Sequence, residues 1–588
     1  MKLFSVSEKS IYGLLTYILN FSIGLLTVNT YAPLTEGWWH VYARWIDQGR
    51  VPYRDFELLV TPGFPYITWF FKHLVGEEFL HLRLIGLIFQ AGIALLLFLI
   101  LSKHVSKLTS AGLATLGTTL LYSGTASISF DYNYFAVFFA VLSIYFLQKD
   151  SLEEKNWPFF AGISIAAVFL IKQSTGLSLF LFVFLIPFLD KSFLKCEKLR
   201  IWLKIFLGFF VPLALVSIMF IIIGAFTPMI KQVFVQSTNV KGGTASILTN
   251  WIEGIYEPFS FGYAIRHVLF LTLLVLFLQW LAKQKHLHFN FNKFILFVTV
   301  IVGLLTAIET IRSRFYSSDN TLRNFLENID TKISPYIYLE PLLIMLFLLY
   351  WTQRKYRYEW LPILMLALAM TCSTGMSAGL TEYGIFMNIV VSLAWLNQYL
   401  NFRFLNYLFL IVSLLFSSSQ ILNKYETPYS WWGYATPSIY FSTFPSTNGL
   451  TRGLKFSERS YKEFREISEN LSLLSCKGEV IGYPHMPIFA LDSNRLPTGR
   501  VAIYWFDFIS VEGLKTEKNR FLNGSISAVI EMNLPNVASA HSNLYGSHGL
   551  LYREQLEASL FQNRKHLKHK TFSSLKLSLA SCGEINDA

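Results

Sequence analysis

Apolar blocks long enough to cross a bilayer recur along the chain, and no other feature restricts its fold so severely. LIGLIFQAGIALLLFLIL (84–101), IWLKIFLGFFVPLALVSIMFIIIGAF (201–226) and YLFLIVSLLF (407–416) are examples. A helix needs ~20 mostly apolar residues to cross the hydrocarbon core, where every backbone polar group must be satisfied internally. Only 15% of the 588 residues are charged, against about 25% in an ordinary soluble domain. The expected fold is an all-α polytopic membrane protein. Spans are expected at 11–29, 81–102, 109–127, 132–148, 157–172, 175–190, 203–225, 264–282, 293–310, 335–351, 360–377, 383–399 and 404–418, about thirteen in all.

The cations set the orientation. With the N-terminus in the cytoplasm, the inner connections hold Lys103 and Lys107, Lys149 and Lys155, and Lys191 with Lys195, Lys198 and Arg200. Later inner connections hold Lys283, Lys285 and Lys293, then Arg354, Lys355 and Arg357, then Arg403. That is the positive-inside pattern. It accounts for the net charge of +12 without a basic, aromatic-interleaved stripe, so nucleic acid is not an expected partner. Ile11–Val28, preceded by Lys2 and Lys9, reads as an uncleaved signal anchor. An odd span count leaves the C-terminus outside the inner (plasma) membrane.

Two regions follow: a membrane module over 1–419 and an extracytoplasmic domain over 420–588. In the second, SYKEFREISENLSLL (460–474) and REQLEASLFQNRKHL (553–567) have helical periodicity, while GEVIGYP (478–484) and ISAVIEM (526–532) read as buried strands. Alternating elements suggest a small α/β fold. Cys476 and Cys582 both fall there. An oxidising compartment allows a disulfide between them, and two buried thiols are the other reading.

The densest chemistry is TEGWWHVYARWIDQGRVPYRDF (35–56), directly after the first span. It carries Glu36, Asp47 and Asp55 against Arg44, Arg50 and Arg54. Thr35 can cap a helix whose first turn holds Glu36. Trp38, Tyr42 and Trp45 then share one stripe, as on an amphipathic helix lying in the headgroup zone. A second short helix is expected from Phe64 to Val75. Read plainly, Glu36 is a helix-start acid and the arginines are interfacial anchors. Other polar residues mark the outer ends of spans: Arg83, Asp131 and Asn133, Lys172, and Glu382 with Tyr383. Charges at membrane depth usually face a protein interior or an aqueous cavity, and here they gather on one side of the membrane. Acids and cations there, backed by apolar helices, suit sugar transfer from a polyprenyl phosphate. A carboxylate takes the acceptor's proton while cations stabilise charge growing on the phosphate.

The 35–56 stretch resembles the first outer loop of GT-C glycosyltransferases, which include protein O-mannosyltransferases and aminoarabinose transferases of lipid A. The family's acid, then Ala, then Gly-x-x-Pro-Tyr-x-Asp, is matched by Glu36, Ala43, Gly49, Pro52, Tyr53 and Asp55. DYN (131–133) and KQSTGL (172–177) are similar to segments of bacterial members. The resemblance implies Glu36 as general base, with Asp55 in reserve because Thr35 stands where many relatives have Asp. It also implies Arg83 and Lys172 near the lipid phosphate, and Asp55 and Asp131 orienting the acceptor, binding a metal or holding an arginine. Its expected partners are a polyprenyl-phosphate sugar donor, a glycan, lipid or protein acceptor, and membrane lipid. A divalent cation, Mg or Mn, serves some members only, and no compact ligand motif occurs here. Two other classes compete, a lipid-sugar transporter or flippase and an O-antigen ligase or polymerase. Transporters usually carry internal repeats and broken helices, which this sequence lacks. The ligases would place their key loop late. In the tail, His485, Asp492 and Arg495 either reach over the cavity toward an acceptor or belong to an ordinary strand–loop.

Overall fold

The computed structural model describes residues 8–240 apart from Thr35, 123–127, 150–154 and 190–194, with Gly243 beyond. It further describes 360–371, scattered positions within 390–398, 403–532 apart from 432–433, 448, 476–477, 506–507 and 523–525, and 567–580 apart from 573–574. The expected spans 264–282, 293–310 and 335–351, the pair Glu382 and Tyr383, both Cys476 and Cys582, and the 553–567 helix except Leu567 lie outside the described residues.

Nine helices of the first part follow the hydropathy: α1 (Glu8–Leu25), α2 (Trp38–Asp47), α3 (Gly63–Val75), α4 (Phe79–Leu101), α5 (Lys107–Tyr122), α6 (Tyr132–Leu147), α7 (Trp157–Ile171), α8 (Gln173–Leu189) and α9 (Lys195–Ile222). Two more, α10 (Leu361–Thr371) and α11 (Arg403–Glu426), fall on later apolar blocks. Among the described residues, Phe79–Leu101 and Cys196–Ile222 are long and apolar enough to cross a membrane by themselves. Tyr132–Leu147, Trp157–Ile171 and Gln173–Pro187 are shorter and equally apolar.

Polarity within these helices turns inward. Asn20 of α1 donates to Thr115 Oγ1 on α5 at 3.2 Å and to its own helix at Thr16 O, 2.8 Å. Leu203, Leu207, Leu215 and Ile222 of α9 are exposed, as a lipid-facing surface requires. Where α7 meets α9 the backbones nearly touch. A Cβ on Gly162 would stand 2.3 Å from Ile205 O, and one on Gly208 would stand 2.1 Å from Phe159 O. Small residues permit that approach in membrane helix pairs.

The tail is a small α/β unit. Helix α12 (Glu458–Ser472) starts at Ser457, whose side chain caps it by accepting the Ser460 amide at 3.2 Å. Strand β1 (Glu479–Tyr483) runs parallel to β2 (Ile526–Met532), with α13 (Val511–Leu522) between them in sequence. Both strands are almost wholly buried, as a covered parallel pair should be. A hairpin of β3 (Leu567–Thr571) and β4 (Leu575–Ala580) adds antiparallel to β2, giving the order β1-β2-β4-β3. The sequence reading found β1 and β2 but not this hairpin, whose Lys- and His-rich first strand lacks an apolar run.

The expected aromatic stripe of α2 needs correction. Trp38, Tyr42 and Trp45 are 6%, 3% and 0% exposed, so they are packed in protein and not in headgroups. The tail covers them. Trp45 Nε1 donates to Pro497 O at 3.2 Å, and Trp38 lies 4.8 Å from the Phe508 ring. The same loop is fastened elsewhere by Tyr429 Oη to Leu34 O at 2.7 Å and by Ser510, whose amide and hydroxyl both reach Glu57 at 2.6 Å. An amphipathic pattern specifies one apolar face but not what covers it.

Candidate active site

The chain leaves α1 and turns sharply before α2. The Glu36 amide donates to Leu34 O at 2.8 Å, and Gly37 adopts φ 99°. Only glycine enters that region readily, and a Cβ there would also meet Leu491 Cδ1 at 2.7 Å. Glu36 therefore stands ahead of the helix rather than in its first turn; Thr35, its expected cap, is outside the described residues.

Glu36 meets Arg83 of α4. Arg83 Nε donates to Oε1 at 2.7 Å and Nη2 to Oε2 at 2.5 Å, while Nη1 reaches Val28 O and Thr30 O, each at 2.6 Å. The two side chains are 3% and 5% exposed. Bidentate geometry and removal from water make this the strongest kind of side-chain pair, and one whose members depend on each other. Burial pushes the Glu36 carboxyl above its ordinary range, and Arg83 pulls it back.

Asp131 arrives from the other side. Ser129 Oγ donates to Arg83 O at 2.8 Å, pinning the 129–131 segment across α4. Asp131 then caps α6, its Oδ1 accepting the Asn133 amide at 2.8 Å. Burial raises its pKa to about 6, opposed by that amide and by Lys172. Asn133 Oδ1 in turn accepts Lys172 Nζ at 2.9 Å, and Lys172 sits 5.7 Å from the Tyr132 ring.

Glu36, Arg83 and Asp131 line one enclosed cavity of about 20 Å³, with Trp39 and His40 in its wall. That is room for a water molecule. Trp39 Nε1 and His40 Nε2 are buried without a hydrogen-bond partner among the described residues. Burial lowers the His40 pKa to about 3, so the ring is neutral. Neither residue stood out in the sequence, since an orphaned polar atom becomes visible only once its neighbours are placed. Among the described residues no three His, Cys, Asp or Glu side chains gather as a metal site. Glu36, with both oxygens on a guanidinium, does not fit a divalent ion as it stands.

Asp55 is elsewhere. Its carboxylate accepts the Val51 amide at 2.7 Å and Arg54 Nε and Nη2 at 3.0 and 2.8 Å. Arg54 holds its pKa below the ordinary carboxylate value. The Gly-x-x-Pro-Tyr-x-Asp pattern is a scaffold here. Gly49 takes φ 78° just past α2, Tyr53 takes φ 70°, and Asp55 closes the turn. Of the tail residues, His485 comes to the start of α2, with its ring 5.3 Å from Trp38. Asp492 accepts Ser468 Oγ at 2.8 Å, and Arg495 donates to Leu474 O at 2.8 Å, both within the tail.

Comparison with known proteins bears on this arrangement. No curated protein matches the chain in sequence. In overall course it is similar to the archaeal oligosaccharyltransferase AglB from Archaeoglobus fulgidus, solved with an inhibitory peptide and a dolichol-phosphate. That comparison has 12% identity, a TM-score of 0.46, and covers 95% of this chain and 73% of that one. It is also similar to ArnT from Cupriavidus metallidurans bound to undecaprenyl phosphate, at 10% identity and a TM-score of 0.44, covering 98% and 100%. Residues 60–230 match the model of the dolichyl-phosphate-mannose-protein mannosyltransferase family. That match spans less than a third of the 588 residues and begins just past the 35–56 stretch that resembles the GT-C glycosyltransferases.

Proposed function

We propose that this protein is a membrane glycosyltransferase that moves a sugar from a polyprenyl-phosphate donor to an acceptor hydroxyl on the outer face of the inner membrane. The observation that carries the reading is the polar cavity at the outer end of α4. There a buried, arginine-gripped acid and a second acid line one cavity, in a chain whose residues 60–230 match a mannosyltransferase family. The full layout we assign is about thirteen spans, an N-terminus in the cytoplasm, and an extracytoplasmic α/β domain from about residue 420.

The reaction is an inverting displacement. The acceptor oxygen forms a bond to the anomeric carbon, the bond from that carbon to the phosphate oxygen breaks, and the phosphate leaves with the electron pair. Glu36 takes the hydroxyl proton on a lone pair that Arg83 does not occupy, since each of its oxygens accepts a single bond from the guanidinium. Arg83 holds Glu36 in position and opposes the rise in its pKa that burial causes. Lys172, presented at the end of α7 beside Asn133, stabilises charge on the departing phosphate, with Glu382 and Tyr383 assigned to the substrate side. A second reading has its own support. Asp131 lines the same cavity, is hydrogen-bonded by the backbone and side chain of Asn133 rather than gripped by a guanidinium, and has its pKa raised to about 6 by burial. That suits a general base near neutrality.

The test is to offer the purified protein a panel of polyprenyl-phosphate sugars and measure free polyprenyl phosphate and glycosylated product. Release with one donor class supports the proposal. No release from any donor, together with substrate-dependent uptake into liposomes, would overturn it in favour of transport.

A further inference from the structure

A second cavity of different character opens about one helix length from the first. It is an open cleft of about 710 Å³, lined by Gln48 and Arg50 on one side and by Ser475, Asn494, Arg495 and Thr498 of the tail on the other. That volume lies in the range of about 300–1,000 Å³ typical of ligand sites. Among the described residues no Asp or Glu lines it. Behind the lining, Glu479 is fully buried and already held by Arg520 and by the Thr498 amide at 2.7 Å, while Asp55 and Glu517 act on Arg50. Among the described residues the charged side chains of the lining are thus both cationic, Arg50 and Arg495.

Its cations are built in. Arg50 lies flat over the Trp45 ring, 4.1 Å from its centre, while Nη2 is fixed by Gly499 O at 2.5 Å and Asp55 O at 2.9 Å. Those bonds orient the guanidinium and leave Nε and Nη1 as donors; planar, stacked arginine is suited to bidentate recognition of carboxylate or phosphate. Asn494, at φ 53°, accepts Arg44 Nη1 on its Oδ1 at 3.2 Å, which turns its amide hydrogens outward. With Gln48 this gives neutral donors and acceptors suited to hydroxyl groups, while the Thr498 hydroxyl is already held by Glu479 Oε2 at 3.3 Å.

We infer that this cleft is a docking site for an acidic glycan, a hydroxyl-rich oligosaccharide bearing a carboxylate or phosphate. Resting on the proposed function, it holds the acceptor at a distance from the reacting centre. Helix α2 separates the cleft from Glu36, and its ten residues span about 15 Å. The acidic group of the acceptor is thus recognised about 15 Å from the hydroxyl that reacts.

The experiment measures binding to the full chain in detergent, with 3′-sialyllactose, neutral maltotriose, hexaglutamate and inorganic phosphate as probes. The sialylated trisaccharide is expected to bind best, and more weakly as salt rises. Gln48 is exposed at the rim, so a charge placed there changes the field without disturbing packing. Gln48→Glu is expected to weaken binding by roughly three-fold and Gln48→Lys to strengthen it by a similar factor. Arg50→Lys keeps the charge but loses the planar fork, and is expected to bind more weakly than wild type. Equal binding of maltotriose, tighter binding of hexaglutamate, phosphate binding as tight as the trisaccharide, or no response to either Gln48 change would each overturn the inference. The two proposals fail separately: sugar transfer without trisaccharide binding removes the cleft's role, and binding without transfer from any donor removes the enzymatic reading.

Discussion

The two ends of the 35–56 stretch each pair an acid with an arginine, yet the pairs are opposites. Arg54 and Asp55 are sequence neighbours whose side chains remain 46% and 31% exposed. Glu36 and Arg83 stand 47 residues apart and are almost completely buried. In the first pair, water and salt screen the attraction, so such contacts contribute little. In the second, neither charge has another solvent to return to, so removing one strands the other. Proximity in sequence therefore says little about the importance of a charge pair; burial decides it. The geometry makes the Asp55 end a turn that shapes the loop and the Glu36 end a place where chemistry can occur.

The largest effect should come from breaking the buried pair at its cation. Arg83→Met leaves a carboxylate and two backbone carbonyls without their donor, and should cost about 3–5 kcal/mol. Thermal unfolding in detergent would register it as a large drop in Tm. Adding Glu36→Leu to Arg83→Met should recover part of the loss, because the stranded charge is gone. A single mutant that melts with wild type would mean that the pair does not hold the loop. Next comes Glu36→Gln, which keeps the shape and a hydrogen-bond acceptor. Sugar transfer should fall by about 10²–10⁴-fold, the usual contribution of a general base, with a smaller change in Tm. Full transfer by this variant would exclude Glu36 as the base and leave Asp131.

Asp131 supplies a pH test. Its pKa is raised from an ordinary 3.8 to about 6 by burial. If the ionised form is needed, transfer should climb as pH rises through about 6 and level off above it. Asp131→Asn should abolish that limb, and an unchanged limb in the variant would assign it to another group. Linkage gives the opposite sign for stability. A carboxyl with a raised folded pKa favours the fold most when protonated. Its contribution is complete below 3.8 and is lost as pH rises through about 6.

What the sequence disclosed follows the same division. The apolar blocks located α1 and α4 to α8 to within about five residues, because hydrocarbon thickness dictates both length and composition, while α9 begins eight residues before its expected span, on the charged stretch from Lys195. Glu36, Arg83, Asp131, Asn133 and Lys172 stood out as charged or polar residues at span ends. Which of them pair with which did not. Arg83 reads as a phosphate ligand until the turn at Gly37 brings Glu36 onto it, and Asn133 is distinguished only by receiving Lys172. The tail's cover over Trp38 and Trp45 was equally illegible, since helical periodicity cannot distinguish burial under a second domain from burial in lipid headgroups.

The smallest effect sharpens the comparison most. Asp55→Asn alters a carboxylate that shares Arg54 with solvent and holds the Val51 amide. An asparagine oxygen can still accept that amide, so the turn should persist. The neighbouring guanidinium has another acceptor in Ile223 O at 3.2 Å, so it is not left without a partner. Transfer should remain near the wild-type rate, and raising the salt concentration should narrow any difference, because the exposed pair is already screened. The informative comparison places this variant beside Glu36→Gln in one assay with one donor. Equal losses in the two would return Asp55 to the reaction and require the loop to bring it toward the cavity during turnover. A loss confined to Glu36→Gln would make the buried end of the loop the reactive one and the exposed end its hinge.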